Sequence, residues 1–138
     1  MSPNKALIKR WFDEVWNQGS TAAIDQMLAS DARMYGLAAE PVIGPAGFMP
    51  FHTALRAALS NIRVQIEDMV EEGDRVSLRY TVTADHSGDG FGVQATRQKV
   101  VFTGQGIARV RDGRITEAWN AFDQLGLFVQ MGVVRLPA

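Results

Sequence analysis

The chain lacks cysteine altogether and has only two histidines among 138 residues. The first absence excludes disulfides and thiolate metal sites together. The second, with no carboxylates paired at helical metal-ligand spacing, leaves no metal motif, so neither a metal nor a cofactor is expected. Charge of one sign is also short: 14 Lys and Arg stand against 15 Asp and Glu, for a formal net charge of −1. So close a balance gives no broad basic face for nucleic acid. No segment approaches the ~18 consecutive apolar residues of a membrane span. Asp13 and Glu14 interrupt the N-terminal stretch where a secretory signal would continue its apolar run. Linkers, repeats and low-complexity runs are missing too. The expectation is one cytoplasmic domain over residues 1–138, burying roughly two thirds of its unfolded surface.

What is present is periodic. Asn4 to Trp16 predicts an amphipathic helix, with Leu7, Ile8, Trp11, Phe12 and Val15 on one stripe and Lys9, Arg10 and Asp13 opposite. Gly19 stops it, and Ser20 or Thr21 caps a second helix carrying Ile24, Met27 and Leu28. A loop-rich stretch with a short strand around Tyr35 follows. A third helix then runs from about Ala46 to Ser60, with Phe48, Phe51, His52, Leu55 and Leu59 on its buried stripe. After Asn61 the period falls to two. Ile62, Val64 and Ile66 alternate with polar residues, and Val76, Leu78, Tyr80 and Val82 do so again after the turn "EEGDR". "DHSGDGFG" reads as a long hairpin connection. Strands over Lys99 to Arg111 and Arg114 to Phe122 flank Asp112-Gly113, a type I′ turn signal. Helices first and an antiparallel meander after predict an α+β fold. Its helices pack on one face of a curved sheet and leave a cone-shaped space between the layers.

The turn also suggests a register. If Arg111 pairs with Arg114 and the ladder continues unbroken, Ala108 meets Glu117, Gly106 meets Trp119, Gly104 meets Ala121 and Phe102 meets Asp123. Phe102, Glu117, Trp119 and Asp123 then share a mostly small or apolar face, read as the inner one. A bulge would turn the end of this assignment over. Burial disfavours the charged form of a carboxyl, which would suit inward Asp123 and Glu117 to acid/base work near neutral pH. Against that, each could simply cap a helix or pair with an arginine, and Asp123 directly precedes the apolar "QLGLFVQMG".

Other polar residues carry the same double reading. His86 is in phase with Val82 and Ala84, so it reaches the end of the inner face, to hydrogen-bond an enolate or orient Asp123, or else sits exposed in a turn. His52 is either a satisfied core histidine or a pocket-lining one. Tyr35 and Tyr80 either supply a phenolic donor for an oxyanion or are ordinary buried tyrosines.

The stretch "RVRDGRITEAWNAFDQLGLFVQMG" resembles the C-terminal signature of the SnoaL-like polyketide cyclases, within the nuclear transport factor 2-like superfamily. That signature runs strand, "DG" turn, I-x-E-x-W, an aspartate three or four residues on, then LGL-x-x-Q-x-G. "VWNQGSTAAIDQMLASDA", "GPAGFMPFHTALRAAL" and "EEGDRVSLRYTVTADHSGDGFG" fit in order, so the likeness spans nearly the whole chain. Arg97 departs from it, standing where a glycine is common. The resemblance implies a cone-shaped α+β barrel, a homodimer packed through the outer sheet face, and an acid/base aspartate on the last strand, matched by Asp123. It further implies an aldol-type ring closure of a polyketide ester with neither metal nor Schiff base. The protein is then a small cofactor-independent enzyme for an apolar, carbonyl-bearing substrate. Asp123 and His86 would be catalytic, with Trp119, Phe102, Glu117, His52 and Tyr35 around the pocket. Two rivals stand beside this. One is a ketosteroid-isomerase-like or epoxide-hydrolase-like reaction, the latter needing Arg79 or Arg109 between Asp123 and Glu117. The other is a non-catalytic dimeric module that binds a lipophilic molecule, with Asp123 tied up as a helix cap.

Overall fold

Ser2 and Pro3 start the first helix. In the computed structural model, which describes all residues from Met1 to Ala138, Ser2 accepts a hydrogen bond from Lys5 N–H at 3.1 Å, and Pro3 occupies the first turn. Helix α1 (Pro3–Arg10) runs on into a π-helical segment, Trp11–Asn17. This is longer than the single-turn bulge in which π geometry usually occurs. Its carbonyls are gripped from α3 (Gly44–Ala58). His52 Nε2 donates to Val15 O at 2.7 Å, and Arg56 Nη1 donates to Trp16 O at 3.0 Å. One turn apart on α3, these two side chains clamp adjacent peptide groups of the wider helix.

Helix α2 (Thr21–Met27) is capped by Ser20 and leads directly into β1 (Leu28–Tyr35) and β2 (Val42–Ile43). After α3 come β3 (Leu59–Glu72), β4 (Arg75–His86), β5 (Lys99–Arg111), β6 (Arg114–Phe122) and helix α4 (Gln124–Met131). The strands form one curved, unclosed sheet in the order β2-β1-β6-β5-β4-β3. Strands β2 and β3 therefore lie on opposite edges, and α3 is the direct link between them. Its 15 residues give a helix of about 22 Å, close to the ~24 Å between the outer strands of a six-stranded sheet. The helix has to cross the concave face, and so it roofs the space above it.

Several details depart from the expected elements. Leu28 opens β1 instead of closing α2, and β1 pairs parallel with β6, a long-range contact that no local pattern announces. Helix α3 begins two residues early and keeps Pro50 in its interior, where one helical hydrogen bond is forgone. The type I′ turn forms as expected, with φ of 52° at Asp112 and 73° at Gly113.

Two side-chain amides stand in for missing strand partners. On edge strand β3, Val64 N–H donates to Asn17 Oδ1 at 2.7 Å and Asn17 Nδ2 donates to Val64 O at 3.4 Å. Beyond the end of β6, Val101 N–H donates to Gln130 Oε1 at 2.9 Å and Gln130 Nε2 donates to Val101 O at 2.8 Å. The first fork ties the π-helical segment to the sheet. Asn17→Leu, which leaves the partly buried Val64 peptide unpaired, is expected to lower stability by about 1–3 kcal/mol, read as a lower urea midpoint at unchanged m-value.

Candidate ligand-binding cavity

Pairing between β5 and β6 begins as the turn dictates, Arg111 with Arg114 and Val110 with Ile115, and then slips. Arg109 meets Glu117, Ala108 meets Ala118, Ile107 meets Trp119, Gly106 meets Asn120 and Gly104 meets Phe122. Thr116 is the extra residue of a bulge, and its hydroxyl donates to Arg109 O at 3.4 Å. The unbroken register expected from the sequence is thereby corrected. From Glu117 onward every side chain lies on the face opposite to the expected one, so Ala118, Asn120 and Phe122 look inward.

The outer face explains why the slip is favourable. Arg109 Nη1 donates to Glu117 Oε1 at 2.6 Å, and its guanidinium lies 5.7 Å from the Trp119 ring centroid. Trp119 in turn stacks on Tyr35 at 5.9 Å and 18°. Without the bulge Glu117 would face Ala108 in an apolar interior with no cation nearby, a costly burial. Asp74 joins the cluster. Its carboxyl is held below the ordinary range by a hydrogen bond from Arg111, with the charges of Arg109 and Arg111 adding.

Most of the expected site residues are not brought together. Asp123 is exposed and is the N-cap of α4, with Gly126 N–H donating to its Oδ1 at 2.9 Å. A side chain at Gly126 would collide with that carboxylate. Asp123 N–H also donates to Thr103 O at 2.8 Å. The expectation that Asp123 looks into the hollow is corrected, and so are the inward placements of Glu117, Trp119 and Tyr35. His52 stands one layer behind the wall, its ring 5.0 Å from Trp16 and 6.0 Å from Phe48. Burial pushes its pKa down, the bond to Val15 opposes this and the charge of Arg56 adds to it, which fits a neutral ring with its proton on Nε2. His86 is wholly buried in phase with Val82 and Ala84, at the end of β4 outside the cavity lining. Thr96 N–H donates to its Nδ1 at 3.1 Å, and its Nε2 has no partner. Arg79 pairs with Asp68, and Arg109 with Glu117 and Asp74, so no arginine bridges Asp123 and Glu117. Phe102 is the member of the expected set that lines the cavity.

That cavity, of about 90 Å³, is lined by 24 residues, 22 of them hydrophobic. Helical residues Trp11, Phe12, Trp16, Phe48 and Phe51 form the roof, and inward residues of β3 to β6 form the floor. Tyr80 is the only ionisable residue in the lining. Burial pushes its phenol up to about 12. Its ring packs on Phe12 at 5.1 Å and crosses over Gly104, where any side chain would collide with it. Beside the indoles of Trp11 and Trp16, the other side chain with a polar group is Asn120. Sequence reasoning gave Tyr80 a minor place and missed Asn120. The alternation of Val76, Leu78, Tyr80 and Val82 signals the first; only the Arg109 and Glu117 charges hint at the second.

A curved, open six-stranded sheet roofed by helices over an apolar cavity defines a small α+β pocket domain of the nuclear transport factor 2-like kind. The family model "SnoaL-like polyketide cyclase" matches residues 6–131, and the chain belongs to that family. Among solved structures it is similar to IdmH from Streptomyces antibioticus, described as a candidate polyketide cyclase, with 27% identity, a TM-score of 0.81 and coverage of 94% of this chain and 99% of that one. A candidate polyketide cyclase from Acidithiobacillus ferrooxidans gives 26%, 0.83, and 95% of each chain. AclR from Streptomyces galilaeus, described as a candidate hydroxylase, gives 27%, 0.84, and 98% and 88% respectively. Searching the curated proteins finds no match. No helix is long and apolar enough to cross a membrane.

The Tyr80 environment sets an alkaline limit. Its folded pKa of about 12 lies above the ordinary 10.0, so its contribution to stability is fully present below about pH 10 and is lost as pH rises toward 12. The tyrosinate absorbance titration of the wild type minus that of Tyr80→Phe should show a midpoint near 12; an ordinary midpoint would place the phenol in solvent. At the cap, Asp123→Ala should lower stability by about 1 kcal/mol while Asp123→Asn leaves it nearly unchanged, as thermal unfolding would report.

Proposed function

We propose that the cavity binds an apolar, carbonyl-bearing small molecule and holds it folded for ring closure of the kind the family name describes. The observation that carries this reading is a lining of aromatic and aliphatic side chains with one neutral phenol among them. A phenol kept protonated donates to a carbonyl oxygen and gains strength as negative charge develops there in a dry site. Walls that confine both ends of one flexible molecule supply rate through proximity. Asp123, engaged as a cap outside the lining, has no part in the binding step on this reading.

Binding is testable with acetylnaphthalene as a planar ketone probe, followed by quenching of Trp11 and Trp16, which line the cavity. Tyr80→Phe should weaken binding about tenfold, the worth of one buried hydrogen bond. Asp123→Asn should leave the affinity unchanged, and turnover with it once a substrate is in hand. Loss of turnover in Asp123→Asn with binding intact would return the acid/base role to that residue.

We further propose that the partner on the outer sheet face is a second copy of the chain. Val70, Ser77, Ile107, Trp119 and Tyr35 follow one another across the strands, with Val70 66% and Ile107 41% exposed. Light scattering should report a dimer that Ile107→Asp splits; a wild-type monomer at micromolar concentration would sink this.

A further inference from the structure

Tyr80 and Asn120 differ in what they offer, and the difference constrains the ligand. Asn120 is held in one orientation, because its Nδ2 donates to Tyr35 O at 3.0 Å and a carbonyl can only accept. Its Oδ1 is therefore the free end, with no donor from the protein. It lies above Gly106, where an added Cβ would sit 3.9 Å from it. With no side chain at Gly106, nothing from β5 covers that oxygen. The Tyr80 hydroxyl lies over Gly104 in the same way. Gly104 and Gly106 are two residues apart on the inner face of β5, about 7 Å, so the two polar atoms share one glycine-floored strip in an otherwise apolar hollow. One atom is a hydroxyl that donates; the other is an amide oxygen that only accepts.

We propose that the cavity selects a ligand carrying a hydroxyl or N–H donor beside its carbonyl, with the donor on Asn120 Oδ1 and the carbonyl oxygen on the Tyr80 hydroxyl. A hydroxylated aromatic ketone is favoured over the plain ketone. This rests on the carbonyl-binding reading above and adds the identity of the second group. A plain ketone would displace water from Asn120 Oδ1 and give nothing back, and sites built to pair with a substrate hydroxyl reject the analogue that lacks it.

The test compares acetylnaphthalene with its monohydroxylated isomers on the 138-residue chain by fluorescence quenching and calorimetry. At least one isomer should bind about tenfold tighter than the parent. Asn120→Ala should bring that ratio to within about twofold. Asn120→Asp, assayed at a pH where the new carboxyl is ionised, keeps an acceptor but cannot donate to Tyr35 O, so it should retain the preference; this separates the acceptor role from the tie to β1. Tyr80→Phe should weaken the parent and the isomers alike. Equal binding of the parent and all isomers to the wild type, or a preference that survives in Asn120→Ala, overturns this inference and leaves the carbonyl reading standing. Failure of every ketone to bind overturns both.

Discussion

Side chains alternate across a strand, so the single extra residue at Thr116 decides which half of β6 faces the hollow. With the bulge, Glu117 meets Arg109 on the outer face and Asn120 comes inside. Without it, Glu117, Trp119 and the chain leading to Asp123 would turn inward, and the cavity would hold carboxylates. The energetic preference is plain. A half-buried ion pair with a cation–π contact and a stacked Trp119–Tyr35 pair replaces a carboxylate stranded in an apolar space. The polarity of the site thus follows from a charge arrangement on the far side of the sheet.

The rest of the cavity depends on how its roof is held. The π-helical segment places Trp11, Phe12 and Trp16 over the sheet, and three side chains keep it there. His52 and Arg56 grip its carbonyls from α3, and Asn17 ties its end to Val64 on β3. Val15 and Trp16 lie in the last turn of the segment, where a helix leaves its carbonyls without internal partners, so the side chains of α3 satisfy groups that the helix itself cannot. On the floor, Gly104 performs the complementary task, since a side chain there would push Tyr80 aside.

Much of this architecture is legible in the sequence because it rests on local periodicity. The 3.6-residue stripe from Leu7 to Val15, the period-two runs from Ile62 and Val76, and the Asp112-Gly113 turn each announce their element. What escapes is non-local. The parallel pairing of β1 with β6 joins segments far apart in sequence, and the bulge at Thr116 carries no turn residue to mark it. The error about Asp123 follows from the bulge alone: a correct turn and a correct first two pairs, ending at Ile115, still assign the wrong face at Asp123. The helix-cap reading of Asp123 needed no register, only the apolar run beginning at Leu125, and that reading matches the observed geometry.

Asp123 and Gln130 now account for each other. The cap fixes where α4 starts, two turns later Gln130 pairs with both polar groups of Val101, and the backbone of Asp123 itself bonds Thr103. The spacing of an aspartate and a glutamine around "LGL" is thereby sufficient as a docking device for the last helix against β5, whatever else it does. Chemistry in the hollow has to come from groups that reach it. There the low dielectric works in favour of the few polar atoms present: a neutral phenol and an amide oxygen would discriminate between ligands more sharply than exposed charges screened by water. On the binding reading proposed above, a site of this composition selects by shape and by matched donors and acceptors, and its specificity would turn on Asn120 and Tyr80 rather than on the exposed carboxylates.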